Sequence, residues 1–198
     1  MPYLPLNIDI RGKKVLVAGG GTVAERKIRV LLNAEAVVHV VSPDISSKIK
    51  SLENDKTLFL INRPYQTGDL AGVILAVAAT SNPLTNQTIA ADAHQLGILV
   101  NVTDAPESGN CSFPALLRRG KLEISVSTNG TCPGFAAEIR DRIAAEIGEE
   151  FGIMLETLAL EREKLLTEGG LNTYNTQVLR SRIQELLDEL IKHKERVP

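Results

Sequence analysis

The stretch "VLVAGGGTVAERK", residues 15–27, decides the fold of the first half of this chain. The short, β-branched and apolar run in front of its glycines predicts a buried strand over Lys14–Ala18. Behind the glycines, apolar residues recur on one helical stripe while charged residues mostly face water, which predicts a helix from Thr22 to Asn33. The three glycines therefore form a turn between a strand and a helix.

The glycine turn fits the pattern G-x-G-x-x-A through Gly19, Gly21 and Ala24. In this pattern Gly19 permits the tight turn, Gly21 lets the backbone approach a pyrophosphate, and Ala24 lets the helix pack closely on the sheet. The positive N-terminal end of the helix would then hold the pyrophosphate. We therefore expect a dinucleotide cofactor here. The alternative is a close-packed turn that binds nothing.

The alternation of strands and helices continues to about residue 112. Further strands are predicted over residues 36–41, 57–61, 72–79 and 98–102, and helices over residues 45–53 and 82–96. Strands that are apolar on both faces and alternate with helices are typical of a parallel sheet covered on both sides. Residues 1–112 are therefore predicted to form a doubly wound α/β domain.

The pattern changes after residue 112. "KLEISVST", residues 121–128, alternates strictly between apolar and polar side chains. A period of two predicts a strand with one covered face, which is more typical of an antiparallel sheet. A helix from Gly134 to Ile147 follows, so that residues 113–147 form a small α+β region.

Residues 148–198 are predicted to be helical, with helices over 151–166 and 174–194 separated by Gly169 and Gly170. One alternating strand with amphipathic helices has too little core of its own to be stable alone. We expect a second copy of the chain to complete it. The protein is therefore predicted to be a homodimer.

Composition narrows the class of protein further. The 198 residues include 22 basic and 24 acidic ones, which argues against a general nucleic-acid binder. No stretch approaches the roughly 20 apolar residues of a membrane span, and the N-terminus lacks the features of a signal peptide. Neither the two cysteines nor the three histidines have metal-ligand spacing. We expect a cytoplasmic protein that has reduced cysteines and no metal and is not bound to a membrane.

Ligands of open α/β sheets bind beyond the carboxyl ends of the strands. Ser42, Pro43 and Asp44 follow the second strand, where an acidic residue usually binds the adenosine ribose. Asp44 can bind the ribose hydroxyls; alternatively it caps the next helix and Ser42 contacts the ribose. Lys48 is near, but no arginine directly follows this strand to bind a 2′-phosphate. The sequence therefore favours NAD over NADP.

The fourth and fifth strands end on further polar residues. Thr80, a candidate for contacting the cofactor, follows the fourth strand. Asn101, a candidate for binding substrate, and Asp104 stand at the end of the fifth. Asp104 is the carboxylate best placed to face a nicotinamide, and as a general base it would take a proton from a substrate that loses hydride. Its alternative role is to form a turn before Ala105 and Pro106.

Two groups of polar residues in the second region are candidates for binding substrate. Thr128, Asn129 and Thr131 lie on a turn, where they either bond a substrate or cap the next helix. A basic cluster is either a solvated face or a site for a polycarboxylate. This cluster consists of Arg118, Arg119, Lys121, Arg140 and Arg142.

Longer segments carry a family resemblance. "LPLNIDIRGKKVLVAGGGTVAERKIRVLL" is followed, in order, by "VVSPD", "AVAATSNPLTNQTIA" and "VNVTDAPESGNCSFPALLRRGKLEISVSTNGTCPGFA". The sequence resembles the precorrin-2 dehydrogenase family over residues 3 to about 145. That family includes stand-alone enzymes, the yeast-type bifunctional protein and the N-terminal part of siroheme synthase.

The resemblance implies a function and a set of residues. Members oxidise precorrin-2 to sirohydrochlorin with NAD⁺ on the way to siroheme. They are homodimers with a Rossmann domain, a dimerisation region and a helical C-terminal part, which the resemblance places at residues 1–112, 113–147 and 148–198. Their catalytic aspartate falls on Asp104, and their serine in the turn after the alternating strand falls on Thr128. Their nucleotide contacts fall on Gly19, Gly20, Gly21, Thr22, Val23, Pro43 and Asp44.

Two other functions remain open from the sequence. Some members of the family also insert iron, so a bifunctional dehydrogenase and sirohydrochlorin ferrochelatase is one alternative. The other is a non-catalytic module that senses NAD. We also expect this chain to lack the methyltransferase module of the fused siroheme synthases.

Overall fold

The computed structural model describes residues 3–52, 56–169 and 173–196. The chain divides into two compact units, Met1–Phe113 and Pro114–Pro198. Glu53, the predicted end of the second helix, and Gly170, part of the predicted break between the last helices, lie outside the described residues.

The first unit is built on a five-stranded sheet in the order β3-β2-β1-β4-β5, with every neighbouring pair parallel. The order reverses direction at β1, between β2 and β4, where ligands of such sheets bind. The doubly wound parallel sheet predicted from the sequence is thereby confirmed. Its strands are β1 (Lys14–Ala18), β2 (Val37–Val41), β3 (Leu58–Ile61), β4 (Leu75–Ala78) and β5 (Leu99–Val102).

Three α-helices connect these strands. α1 spans Thr22–Asn33, as the periodicity predicts, and α3 spans Pro83–Gln95. α2 is a single turn, Ser47–Lys50, and is shorter than the predicted helix over residues 45–53. It is short because Ser46 caps its start and Ser51 ends it, so Ile45 belongs to the preceding loop. Short 3₁₀ turns lie at Thr67–Leu70 and Pro106–Ser108.

Both faces of the parallel sheet are buried. Successive strand residues point to opposite faces, so β1 directs Val15 and Val17 to one face and Leu16 and Ala18 to the other. Helix α1 packs on the first face and α3 on the second. The contacts from α1 are made by Ala24, Ile28 and Leu31, and those from α3 by Ile89, Ala90 and Ala93.

The edge strand β5 is covered by the segment that follows it. Asn110 accepts a hydrogen bond from the Val100 amide through its side-chain oxygen, at 2.7 Å, and donates its own amide to the Val100 carbonyl, at 3.0 Å. Its side-chain nitrogen reaches the Ile98 carbonyl at 3.3 Å. One side chain thus satisfies backbone groups that an edge strand otherwise leaves unpaired.

The second unit contains a two-stranded antiparallel sheet and three helices. β7 (Leu122–Val126) lies within the predicted alternating strand, whereas its partner β6 (Ala115–Arg119) was not predicted. β6 escaped prediction because "ALLRR" does not alternate between apolar and polar residues. The helices are α4 (Pro133–Glu146), α5 (Glu150–Gly169) and α6 (Thr173–Arg196), close to the helices predicted from the sequence.

The hydrophobic core of the second unit is small. Among its described residues, the buried hydrophobic side chains are Leu117, Ala136 and Leu158. Phe135 on α4 and Ile153 on α5 are more than half exposed. The other buried hydrophobic residues that the structure describes all belong to the first unit.

Candidate functional site

An open cleft of about 970 Å³ lies at the carboxyl ends of the strands in the first unit. Its position matches the rule that ligands of open α/β sheets bind where the strand order reverses. The structure brings all the predicted cofactor residues and the predicted catalytic residue to this cleft. They are Gly19, Gly20, Gly21, Thr22, Val23, Ser42, Pro43, Asp44, Thr80 and Asp104.

The three glycines of the turn have different structural tasks. Gly19 has a φ of 129°, and a Cβ on it would collide with the Ala79 carbonyl oxygen. A Cβ on Gly20 would collide with the Asp44 carbonyl oxygen, while a Cβ on Gly21 would meet only open space. Gly19 and Gly20 are therefore required by the backbone around them. Gly21 keeps space free on the side of the cleft.

The start of α1 is suited to an anion. Gly21 is its N-cap residue, and no side chain caps the first turn. The first amides of a helix have no partner inside the helix, and they carry the positive end of the helix dipole. Glu25, the acidic residue of this first turn, is buried and binds Arg29 at 2.9 Å. These features fit the pyrophosphate of a dinucleotide.

The loop after β2 is held by Ser42. Its hydroxyl donates to the Asp44 carbonyl at 2.8 Å. Ser46 is the N-cap residue of α2 and accepts a hydrogen bond from the Ile49 amide, so the alternative that Asp44 caps this helix is wrong. The Asp44 side chain is exposed at the cleft, whereas the Ser42 hydroxyl is engaged in shaping the loop.

The ends of β4 and β5 are joined by a side chain that sequence reasoning missed. Asn86 on α3 accepts hydrogen bonds from the amide and hydroxyl of Thr80, at 3.1 and 2.7 Å. Its side-chain nitrogen donates to Asp104 Oδ1 at 2.8 Å. Asn86 occupies an ordinary helical position, so no local pattern in the sequence marks it.

Pro64 and Tyr65 also line the cleft and were not predicted. The signal was present, because both follow β3 and the rule about strand ends applies to this strand as well. The Tyr65 hydroxyl donates to Asp92 at 2.9 Å. Burial and this hydrogen bond raise the pKa of Tyr65, so its phenol stays protonated at neutral pH.

Asn101 is not among the residues that line the cleft. It is buried, and its side-chain nitrogen donates to the Cys111 carbonyl at 3.1 Å. This bond fastens the segment after β5 back onto the strand. The contact gives Asn101 a structural task and does not support its predicted role in binding substrate.

The predicted basic cluster belongs to the second unit, where its arginines are paired with acidic neighbours. Arg118 binds Glu123 across the two-stranded sheet at 2.6 Å. Arg119 donates to the carbonyls of Ile147 and Ala144, at 2.8 and 3.2 Å, which closes the end of α4. Arg119 is thus used to fix the fold, whereas exposed pairs such as Arg118 contribute little and exchange partners easily. The other three ion pairs are Arg119–Glu149, Arg140–Asp141 and Arg142–Glu138.

The polar turn before α4 is held together by its own side chains. The Thr128 hydroxyl accepts a hydrogen bond from the Cys132 amide at 3.2 Å, and the Thr131 amide donates to the Thr128 carbonyl at 3.0 Å. Asn129 adopts a φ of 52°, and its amide donates to Ser127 Oγ. Thr128 thus bonds the residue that precedes α4, while its hydroxyl group can also donate to a ligand.

The described residues contain no group of three or more His, Cys, Asp or Glu side chains that could hold a metal ion. In the same part of the chain, every helix is too short or too polar to span a membrane.

His39 and Cys111 are both held in packed surroundings. His39 stacks on Phe59 with ring centroids 4.9 Å apart. Burial raises the pKa of the Cys111 thiol to about 11, which keeps it protonated.

Comparison with protein families decides the class of the first unit. A family described as "Putative NAD(P)-binding" matches residues 6–115, which is more than half of the chain. The chain belongs to this NAD(P)-binding family. A second family, described as "Sirohaem biosynthesis protein central", matches residues 119–146 in the second unit. The predicted dinucleotide cofactor of the NAD type is thereby confirmed.

Similar proteins confirm the resemblance to the precorrin-2 dehydrogenase family. The siroheme synthase of Azotobacter vinelandii is 41% identical over 152 residues, which cover 77% of this chain and 33% of that protein. The siroheme synthase of Pseudomonas putida is 39% identical over 165 residues, covering 83% and 36%. The chain thus spans about a third of the length of these relatives.

A solved structure named "SirC, precorrin-2 dehydrogenase" is similar along almost the whole chain. The match covers 96% of this chain and 100% of that chain, with a TM-score of 0.76 and 26% identity. Its extent confirms the predicted fold, an α/β domain followed by a small α+β region and C-terminal helices.

The glycine turn gives a prediction with an internal control. Gly21→Ala should leave the fold intact, changing the free energy of unfolding by less than about 1 kcal/mol, because its Cβ enters open space. It should weaken NAD⁺ binding at least about tenfold, since the methyl occupies space beside the helix N-terminus. Thermal unfolding and calorimetric titration with NAD⁺ measure the two effects.

Gly20→Ala is the matched control and should behave in the opposite way. Its Cβ collides with the backbone of Asp44, so the thermal unfolding midpoint should fall steeply whether or not NAD⁺ is present. A Gly21→Ala protein that binds NAD⁺ as tightly as the unaltered protein would contradict the assignment of this space to the cofactor.

Proposed function

We propose that this protein oxidises precorrin-2 to sirohydrochlorin with NAD⁺ in siroheme biosynthesis. The observation that carries the proposal is that the uncapped start of α1 and the Asp104 carboxylate border one cleft. A cofactor site and a base are thus available to the same reaction. The names of the similar proteins, precorrin-2 dehydrogenase and siroheme synthase, indicate the same chemistry.

The residues that line the cleft suggest where the pyrophosphate and the adenosine ribose of the cofactor bind. The amides of Gly21, Thr22 and Val23 bind its pyrophosphate, and the Asp44 carboxylate binds the hydroxyls of its adenosine ribose. Among the described residues that line the cleft, no lysine or arginine is present to neutralise a 2′-phosphate. Asp44 would also repel that phosphate, which favours NAD over NADP.

The reaction removes one hydride and one proton from the substrate. When bound, NAD⁺ supplies the acceptor for the hydride and its two electrons and leaves as NADH. The Asp104 carboxylate takes the accompanying proton and passes it to water, which restores the base. Asp104 suits this task because its side chain is exposed at the cleft and Asn86 is bonded to only one of its two oxygens.

The second unit, taken by itself, also offers groups that suit a polycarboxylate substrate. Precorrin-2 carries several carboxylates, and Arg118 can exchange its surface partner Glu123 for one of them. The hydroxyls of Thr128 and Thr131, together with Asn129, offer hydrogen bonds from the turn before α4. Asn101 and Arg119 have no part in this proposal, because their donors are bonded to backbone carbonyls.

We also propose that the protein is a cytoplasmic homodimer. The support for the dimer is the small core of the second unit, whose buried hydrophobic side chains are Leu117, Ala136 and Leu158 among the described residues. Phe135 and Ile153 are exposed hydrophobic residues that a second copy would cover. The two free cysteines agree with a reducing compartment.

Turnover of precorrin-2 tests the proposed reaction. The unaltered protein with NAD⁺ should form one NADH for each sirohydrochlorin, both followed by absorbance. Asp104→Asn keeps the size of the side chain and removes the base, so kcat should fall about a hundredfold or more while the NAD⁺ dissociation constant stays unchanged. Asp44→Asn is the matched control and should mainly raise the KM for NAD⁺.

Two results of this assay would count against the proposal. If the unaltered protein binds NAD⁺ but forms no NADH from precorrin-2, the NAD-sensing alternative replaces the enzyme. If Asp104→Asn retains full turnover, Asp104 is not the base. The same purified protein, given sirohydrochlorin and Fe²⁺, separates the ferrochelatase alternative, which stays a prediction from the sequence.

The dimer is tested by light scattering after size exclusion. The unaltered protein should elute with twice the mass of one chain. Phe135→Glu places a charge on the exposed apolar surface of α4 and should shift the protein to monomers. Leu96→Glu, a similar change at an exposed residue of the first unit, should leave the dimer intact. A monomeric unaltered protein would contradict the proposal.

A further inference from the structure

Asn86 is a fully hydrogen-bonded polar side chain next to the cleft. It lies in the first half of α3, and only 1% of its surface is exposed. Its oxygen accepts from the amide and the hydroxyl of Thr80, at 3.1 and 2.7 Å. Its nitrogen donates to the Thr80 carbonyl at 3.1 Å and to Asp104 Oδ1 at 2.8 Å. An amide offers two donors and two acceptor sites, so all four are used.

These four bonds fix which way the amide of Asn86 points. Rotating it by half a turn would place its NH₂ group against the donors of Thr80. The same rotation would place its oxygen against the Thr80 carbonyl and the Asp104 carboxylate. The Thr80 hydroxyl can also accept a hydrogen bond, but the other three contacts would become repulsive, so the nitrogen must point to Asp104. A buried group that is fully satisfied in one orientation is also rigid.

The bonds connect the ends of two neighbouring strands. Thr80 follows β4, Asp104 follows β5, and the two strands are paired in the sheet. Asn86 lies on α3, so its hydrogen bonds connect both loops to a third element of the fold. Thr80 borders the space proposed for the cofactor, and Asp104 is the proposed base. Beside the backbone pairing of the two strands, Asn86 thus provides a side-chain connection between these two parts of the cleft.

We propose that Asn86 is a positioning residue that holds the Asp104 carboxylate in the orientation the reaction needs. The proposal rests on the proposed function, because it assigns a partner to its base. Asn86 binds Oδ1, and no described side chain donates to Oδ2, which stays available to the substrate. Held in this way, the carboxylate meets the substrate with one oxygen and does not have to be ordered during each turnover.

Asn86→Asp distinguishes the hydrogen bonds that the Asn86 oxygen accepts from those that its nitrogen donates. One carboxylate oxygen can still accept both hydrogen bonds from Thr80. The other oxygen replaces the donor, so it repels both the Thr80 carbonyl and Asp104. The variant therefore keeps the size of the side chain and the acceptor for Thr80, while it removes the bond donated to the Thr80 carbonyl and the bond that orients Asp104. Asn86→Ala removes both sides and gives the upper limit of the effect.

The kinetic test measures both variants with precorrin-2 and NAD⁺. Asn86→Asp should lower kcat about ten- to a hundredfold, the worth of a hydrogen bond to a charged group, and should change the NAD⁺ dissociation constant less than about twofold. In an Asp104→Ala background, the same substitution should no longer change the residual rate, since its target is gone. Asn110→Ala, which breaks backbone bonds away from the cleft, is the control for lost stability.

A second measurement does not depend on turnover. The side-chain amide protons of Asn86 should resonate at low field and exchange slowly with water in the unaltered protein. In Asp104→Ala one of them should move to high field, because it loses its charged acceptor. The Asn110 side-chain amide should not change in this variant. This measurement remains decisive for the contact even if the unaltered protein forms no NADH, a result that overturns the proposed function alone.

Three results would overturn the positioning role. The first is an unchanged Asn86 amide signal in Asp104→Ala. The second is an Asn86→Asp protein with normal kcat. The third is an equal loss of rate from Asn86→Asp in the presence and absence of the Asp104 carboxylate, because it would show a general structural effect.

Discussion

The close approach of three backbone segments at Gly19 and Gly20 is the constraint on which the first unit depends. A Cβ at Gly19 would collide with the Ala79 carbonyl oxygen, and one at Gly20 would collide with the Asp44 carbonyl oxygen. The turn after β1 is therefore packed directly between the loops that follow β4 and β2. Because no side chain separates them, these strand ends converge on one place and leave the cleft beside it.

The functional groups follow from this convergence. The glycine turn places the start of α1, which no side chain caps, at the cleft. The loop after β2 places Asp44 there. Asp104 follows β5, and hydrogen bonds from Asn86 connect it to Thr80. A fold that binds dinucleotides thus becomes a candidate enzyme through side chains at the ends of β4 and β5. Membership in an NAD(P)-binding family agrees with the first half of this description.

Most helices and strands of the first unit could be predicted, because each is marked by a pattern within its own residues. Apolar runs and helical periodicity gave β1 and α1 their bounds. The end of α2 and the strand β6 were not predicted, because a short helix and a non-alternating strand depend on their neighbours. The same holds for Asn86, whose partners lie 6 and 18 residues away. The sequence likewise did not predict that Arg119 donates to the Ile147 carbonyl at the end of α4, because the two residues are far apart in the chain.

Binding of NAD⁺ at the turn after β1 and in the loop after β2 is the central claim. Titration of the isotope-labelled protein with NAD⁺, followed through its backbone amide resonances, tests this claim directly. We expect the largest changes at Gly21, Thr22 and Val23, with a second group at Asp44 and slower hydrogen exchange in the first turn of α1. Binding of NAD⁺ that leaves these resonances unchanged and moves others would contradict the account.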